Sequence, residues 1–222
     1  TTEASFGKFS LMSPQQAWDY ERLVLANSGQ TPDQIDENRP ESMLDNTFDW
    51  LDAAFRTGTN YNVEVQARGG NDKTRFFVSG GYNSIEGTQI FSDFQRTSLR
   101  SNLDHTVNDR LSFGLDANIS YAQSQNAVNG NRFQSPLASA FTTSPLQGAV
   151  NPETGEYYVG NEVDYIGLTG DNFLYSLPLN PVNINTLRML TTLNMNYKIT
   201  DFLKFTQTVN VDVITDDSKD FD

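Results

Sequence analysis

From Tyr61 onward, apolar and polar side chains alternate residue by residue, in stretches longer than most soluble strands. Tyr61, Val63, Val65 and Ala67 alternate with Asn62, Glu64, Gln66 and Arg68. Thr74 to Asn83 places Phe76, Val78 and Tyr82 on one face, and Phe77 interrupts the polarity of the other. Arg96 to Val107 is weaker, with Thr97, Leu99 and Leu103 against Arg96, Arg100, Asn102 and Asp104. Leu111 to Tyr121 alternates without a break. Leu187 to Ile199 and Leu203 to Val213 repeat the pattern, with Gln207 the one polar residue on the apolar face of the latter. Period two with one apolar face is the mark of a strand. The stretches run roughly ten to thirteen residues. Strands in soluble proteins usually run about five or six, whereas a tilted strand crossing a bilayer needs about nine to eleven.

The connections carry a second regularity. Gly69 to Asp72, Asn108 to Asp109 and Thr200 to Phe202 are tight turns, and they alternate with the longer segments Leu11 to Asn60, Ser84 to Phe94 and Gln123 to Asn185. Outer-membrane barrels have short periplasmic turns at one end and long external loops at the other. The spacing therefore predicts the tight turns in the periplasm and the long segments outside the cell. Glu64, Arg68, Arg75, Arg100, Asp104, Asp116, Arg188, Lys198, Lys204 and Asp212 then point to one side, as a water-filled lumen permits. A soluble β-sandwich with charged outer faces gives the same alternation, but strand length and loop asymmetry favour the barrel.

The expected fold class is all-β: an antiparallel, up-and-down transmembrane β-barrel. Here it is a partial barrel of about six to seven strands with long external loops, counting a stub at Thr1 to Phe9. Bacterial barrels begin at eight strands, and an open edge in lipid leaves backbone groups unpaired, so further strands must complete it. The chain divides into 1–59 (end of a first strand, then an external loop with a short helix), 60–123 (strands with two tight turns), 124–185 (a long external loop) and 186–222 (a hairpin and the start of another loop). Within the first of these, Ser13 and Pro14 open a helix to about Ala26, with Gly29 as its stop. Residues 31–46 read as loop, Asp49 to Arg56 as a short helical turn, and Ser135 to Thr142 as a short helix.

Composition removes several classes of function. A net charge of −13 argues against nucleic acid. There is no Cys and one His, His105, which excludes disulfides and a histidine metal cluster within this chain. No cofactor is expected. No run of about twenty apolar residues forms a transmembrane helix. The chain does not start with Met and shows no signal peptide, as expected of a processed or internal piece.

Candidate site residues are weighed against plainer roles. Glu64 and Asp116 are lumen wall rather than an acid–base pair, because no nucleophile or oxyanion feature accompanies them. His105, beside a tight turn, suits catalysis badly, and no catalytic residue is expected. Glu153, Glu156, Glu162, Asp164 and Asp171 lack an EF-hand register, so no metal site is expected. Phe91, Tyr157, Tyr158, Tyr165, Phe173 and Tyr175 lie in predicted external segments. They are candidate contacts for a ligand or a lid protein, with packing of the loop on itself as the other role. Tyr61, Tyr82, Tyr121 and Tyr197 fit interfacial girdle positions.

One block of text carries a family resemblance. It comprises Asn60-Tyr61-Asn62-Val63, Gly69-Gly70-Asn71-Asp72-Lys73-Thr74-Arg75-Phe76-Phe77-Val78-Ser79-Gly80, Glu86-Gly87, Phe94 through His105, and Asn108 through Gly114. This ordered block resembles the SusC/RagA family of TonB-dependent outer-membrane transporters. The helix Pro14 to Leu25, with Asp49-Trp50 and Phe55-Arg56, is similar to that family's first external region. The resemblance implies import of glycans or peptides through a plugged barrel of the bacterial outer membrane. It also implies coupling to the TonB complex through a region absent here, and a SusD-like surface lipoprotein as a lid. The other functions considered are a surface-exposed structural or adhesive β protein and an outer-membrane hydrolase.

Overall fold

The computed structural model describes residues 11–126, 135–162, 164–167, 172–179 and 181–219. The stub expected at Thr1 to Phe9 lies outside them. Six antiparallel strands form one sheet in sequence order: β1 (Asn60–Gly70), β2 (Thr74–Glu86), β3 (Asp93–Asn108), β4 (Leu111–Asn126), β5 (Val182–Lys198) and β6 (Lys204–Lys219). This is the all-antiparallel, up-and-down order of a partial barrel, and the sheet is not closed. Among the described residues β1 pairs only with β2, and β6 only with β5.

The turns follow local chemistry. Asn71 accepts through Oδ1 from the backbone N–H groups of Lys73 and Thr74, both at 2.9 Å. Asn108 does the same for Arg110 and Leu111 at 2.9 and 3.0 Å. Asn and Asp favour turns because their side chains satisfy such donors. Gly70 has φ 156°, and a Cβ there would stand 2.3 Å from the Thr74 carbonyl oxygen, so only glycine fits this close approach.

The strands run past the patterned stretches at the loop end. β3 begins at Asp93 and β5 at Val182, while β6 continues through the acidic residues to Lys219. Residues Asp216 to Lys219 are therefore strand where the sequence suggested loop. Polar residues on both faces hid this extension, and the Thr186 hydroxyl donating to Asp216 at 2.6 Å ties the two strands there.

Among the described residues five helices lie outside the sheet: α1 (Pro14–Asn27), α2 (Pro32–Asn38), α3 (Trp50–Ala54), α4 (Pro136–Thr142) and α5 (Phe173–Leu179). α1 starts at a capping box in which Gln16 N–H donates to Ser13 Oγ and Ser13 N–H to Gln16 Oε1. α2 and the 3-10 turn Glu41–Asp45 fall in the stretch read as loop. The missed signal is the same box, Thr31 with Gln34, around a proline at the first helical position.

Candidate ligand-facing wall and loop assembly

The two faces of the sheet differ in chemistry. One carries Val63, Val65, Val78, Leu99, Leu115, Ile119, Met189, Leu193, Val209 and Val211, all exposed. Among the described strand residues only Ser79, on the other face, is buried. An apolar surface of this extent marks a contact with something outside the chain. Its height is defined by aromatics. Tyr82 and Tyr121 both pair with Thr97 and so share one cross-strand row, and Tyr61 lies close by, its ring 6.4 Å from Tyr82. At the turn end Tyr197 pairs with Leu111 and Phe205. Beyond Tyr121 the same face turns polar, with Gln123 pairing Gln95 and Asn185. From Leu111 to Tyr121 is ten residue steps, or about 33 Å of strand. Tilted at about 45°, this stands close to the ~25 Å apolar band of outer-membrane barrels.

The opposite face forms a polar wall. Reading across β1 to β5, one row runs Glu64, Gly81, Ser98, Ser120, Arg188. The row toward the loops contains Asn83 and Arg96, and the row toward the turns contains Ser79 and Arg100. These rows line a recess of about 450 Å³ floored by small side chains. Arg188 is paired with Asp212 at 2.9 Å. Lower on the wall, Asn102 donates to Asp116. Glu64 and Asp116 thus stand on the wall, on different rows. His105 is on the apolar face near a turn, its Nδ1 2.8 Å from the Thr74 hydroxyl.

Above the sheet the loops build the buried core. Trp50, Ala54, Ala140, Ala149, Phe173 and Leu177 pack together, joining α3, α4 and α5. Trp50 meets Phe173 edge-on at 5.6 Å, and its Nε1–H donates to the Gln147 carbonyl at 3.0 Å. Asn172 donates through Nδ2 to the carbonyls of Ala149 and Tyr158, at 2.9 and 2.8 Å, stitching the long loop to itself. The 86–93 connection is tied to the segment after α3: Arg56 N–H donates to Thr88 O at 2.7 Å, and the Arg56 guanidinium pairs with Asp93.

The six candidate aromatics separate by burial. Phe173 is fully buried at the centre of the loop core. Tyr158 and Tyr165 are buried against each other, centroids 5.5 Å apart. Phe91 is half-buried against the core and adopts φ 57°, a left-handed conformation uncommon for a bulky residue. Tyr175 is half-buried and Tyr157 exposed. The Tyr158 hydroxyl donates to Asp164 at 2.7 Å, and burial together with that carboxylate pushes its pKa well above the ordinary value. Glu162 accepts from the backbone N–H groups of Val159, Gly160 and Asn161 at 2.7, 2.8 and 3.0 Å. Those donors, Val159 first, hold its carboxyl below the usual range. Among the described residues no group of three or more His, Asp or Glu is placed to hold a metal ion. Asp171 lies outside the described residues.

No protein-family model matches the chain. TonB-dependent receptor P26 of Formosa agariphila is 30% identical over 143 residues, covering 64% of this chain and 13% of that receptor. TonB-dependent receptor P3 of the same organism is 27% identical over 124 residues, covering 52% of this chain and 12% of its own length. The fold is similar to that of the RagAB peptide transporter, with a TM-score of 0.69 at 17% identity over 93% of this chain. In sequence the chain is similar to parts of two TonB-dependent receptors, and in fold to part of the RagAB transporter. The segment covers 26% of the RagAB chain it matches. The open-open state of the RagAB peptide importer matches less closely, with a TM-score of 0.60. The family resemblance read from the sequence is supported by both kinds of comparison. The recess formed by Ser79, Gly81 and Ser98 was not foreseen, because only strand register brings these residues together.

Proposed function

We propose that this segment forms part of the barrel wall of a TonB-dependent importer in the bacterial outer membrane, taking up a glycan or peptide ligand without covalent chemistry. The observation that carries the reading is the two-faced sheet. An apolar band bounded by aromatics suits lipid, and the charged face behind it suits a solvated lumen. The alternation of tight turns and long connections supports placing the tight turns in the periplasm and the loop assembly outside the cell. In this reading Tyr157, Tyr175 and Phe91 on that assembly meet ligand or a SusD-like surface lipoprotein. Tyr158, Tyr165 and Phe173 act behind them by fixing the loop's shape. TonB coupling belongs to regions outside this chain.

The test is purification of the native protein from membranes. The expected result is a detergent-dependent species well above 24.8 kDa that co-purifies with a surface lipoprotein and whose loss abolishes TonB-dependent ligand uptake. A detergent-free monomer of 24.8 kDa would sink the proposal. The second reading, a surface adhesin, gains from detergent dependence without any uptake defect.

A further inference from the structure

The recess on the inner wall combines features that no part of the strand pattern requires. Arg96 and Arg100 stand four residues apart on one face of β3 and make no ion pair among the described residues. The loop arginines differ: Arg22, Arg39 and Arg56 each have a carboxylate partner. Glu64 faces Ser98, between the two arginines, across Gly81. Two strand spacings separate their backbones, about 10 Å. Glu64 likewise makes no ion pair. The floor between is small, so an extended chain can lie against the backbone there. Asn83 Oδ1 lines the recess as a buried acceptor without a donor. The recess is level with the Tyr82 and Tyr121 row, at the loop end of the apolar band, where a ligand entering past the loops arrives first.

We infer that this recess is a subsite for an acidic peptide, with Arg96 and Arg100 receiving its carboxylates and Glu64 its ammonium group. Both signs of charge facing each other across a short gap match a zwitterion. Asn83 Oδ1 supplies an acceptor for a peptide N–H. An acidic oligosaccharide offers no cation to Glu64. The Arg96 guanidinium, and that of Arg100 beside the Phe77 ring at 5.9 Å, can bind carboxylates through charge-assisted hydrogen bonds. This inference rests on the importer reading and adds the ligand's charge pattern.

The test is calorimetry on the complete receptor in detergent, with peptides of one length that are glutamate-rich, alanine-rich or lysine-rich. The glutamate-rich peptide is expected to bind about ten- to a hundredfold tighter than the alanine-rich one. The double substitution Arg96→Gln and Arg100→Gln should remove that advantage, so that the glutamate-rich and alanine-rich peptides bind alike. N-acetylation of the peptide should weaken wild-type binding and have no further effect on Glu64→Gln. The charge series uses wild-type protein, so a variant that fails to assemble does not protect the idea. Equal affinity across the series, or an oligogalacturonate bound with the same dependence on Arg96 and Arg100, overturns it. Loss of uptake for every peptide and glycan would also overturn the importer reading. Uptake that ignores peptide charge overturns the subsite alone.

Discussion

The sheet and the loop assembly use similar apolar side chains to opposite ends. In the loops Trp50, Phe173 and Leu177 are buried against residues of the same chain. In the sheet Val65, Leu115, Leu193 and Val211 are left bare. Burial of apolar area is the main favourable term in folding, so the loops form a core of their own, whereas the sheet's apolar face needs another phase to cover it. Backbone pairing holds each strand to its neighbours, and in the proposed reading side chains there face lipid or lumen. The loop assembly is a small globular unit standing on a wall. A change in one region should therefore leave the other standing.

The sharpest way to break the comparison is to empty the loop core. Trp50→Ala removes the ring packed on Phe48 and Phe173 and orphans the Gln147 carbonyl. Large-to-small aromatic changes in cores cost about 3–5 kcal/mol. Limited proteolysis should then cut within 136–179, while the barrel keeps its heat-modifiable mobility on a gel. Loss of both together would mean that the two regions fold as one. Next in size is Leu115→Arg, near the middle of the apolar band, where a charge facing lipid costs about 2–4 kcal/mol. Assembly into membranes should fall, and Asp116→Asn, one residue along on the wall, should leave assembly near wild type. Equal effects would show that the faces have been assigned the wrong way round.

Gly70→Ala comes third. A Cβ 2.3 Å from the Thr74 carbonyl forces the β1–β2 turn to shift, with a strain of about 1–3 kcal/mol. A thermal melt of the barrel should drop, whereas protease resistance of the loop assembly should not. The reverse pattern would tie the turn to the loops and undo the separation argued above.

These contrasts also explain what could be read in advance. The strands were legible because a two-phase environment writes its period into every residue: Leu111 to Tyr121 names both faces without outside help. The loop helices were partly legible. Ser13 with Gln16 marked α1, and the same box at Thr31 with Gln34 was passed over because Pro32 and Pro40 read as breaks. The fates of the aromatics were not legible. Phe173 is buried because Trp50, distant in sequence, closes on it, and no local pattern encodes that meeting. The recess was half legible. Alternation placed Glu64, Arg100 and Arg188 on one side, yet only register sets Glu64 and Arg188 on one row with Ser98 between them.

The smallest expected effect is titration of the long loop, where the two shifted groups act at opposite ends of the pH scale. Glu162 has a folded-state pKa below its ordinary 4.5, because backbone N–H groups, that of Val159 first, hold the charged form. Its contribution is present above that value and fades as pH falls through the lowered one. Tyr158 is shifted upward from 10.0 by burial and by Asp164, so its contribution is complete below pH 10.0 and fades as pH rises beyond it. The protection of amides in 149–162, taken relative to their chemical exchange rate, should therefore be greatest between these limits and fall outside them. The strands, paired to both neighbours from β2 to β5, should exchange at a rate that follows only the chemical pH dependence. Glu162→Gln should flatten the acid limb and spare the alkaline one, and Tyr158→Phe the reverse. If either substitution moved both limbs, the two groups would be acting through one shared contact rather than separately, and the loop would be opening as a single unit.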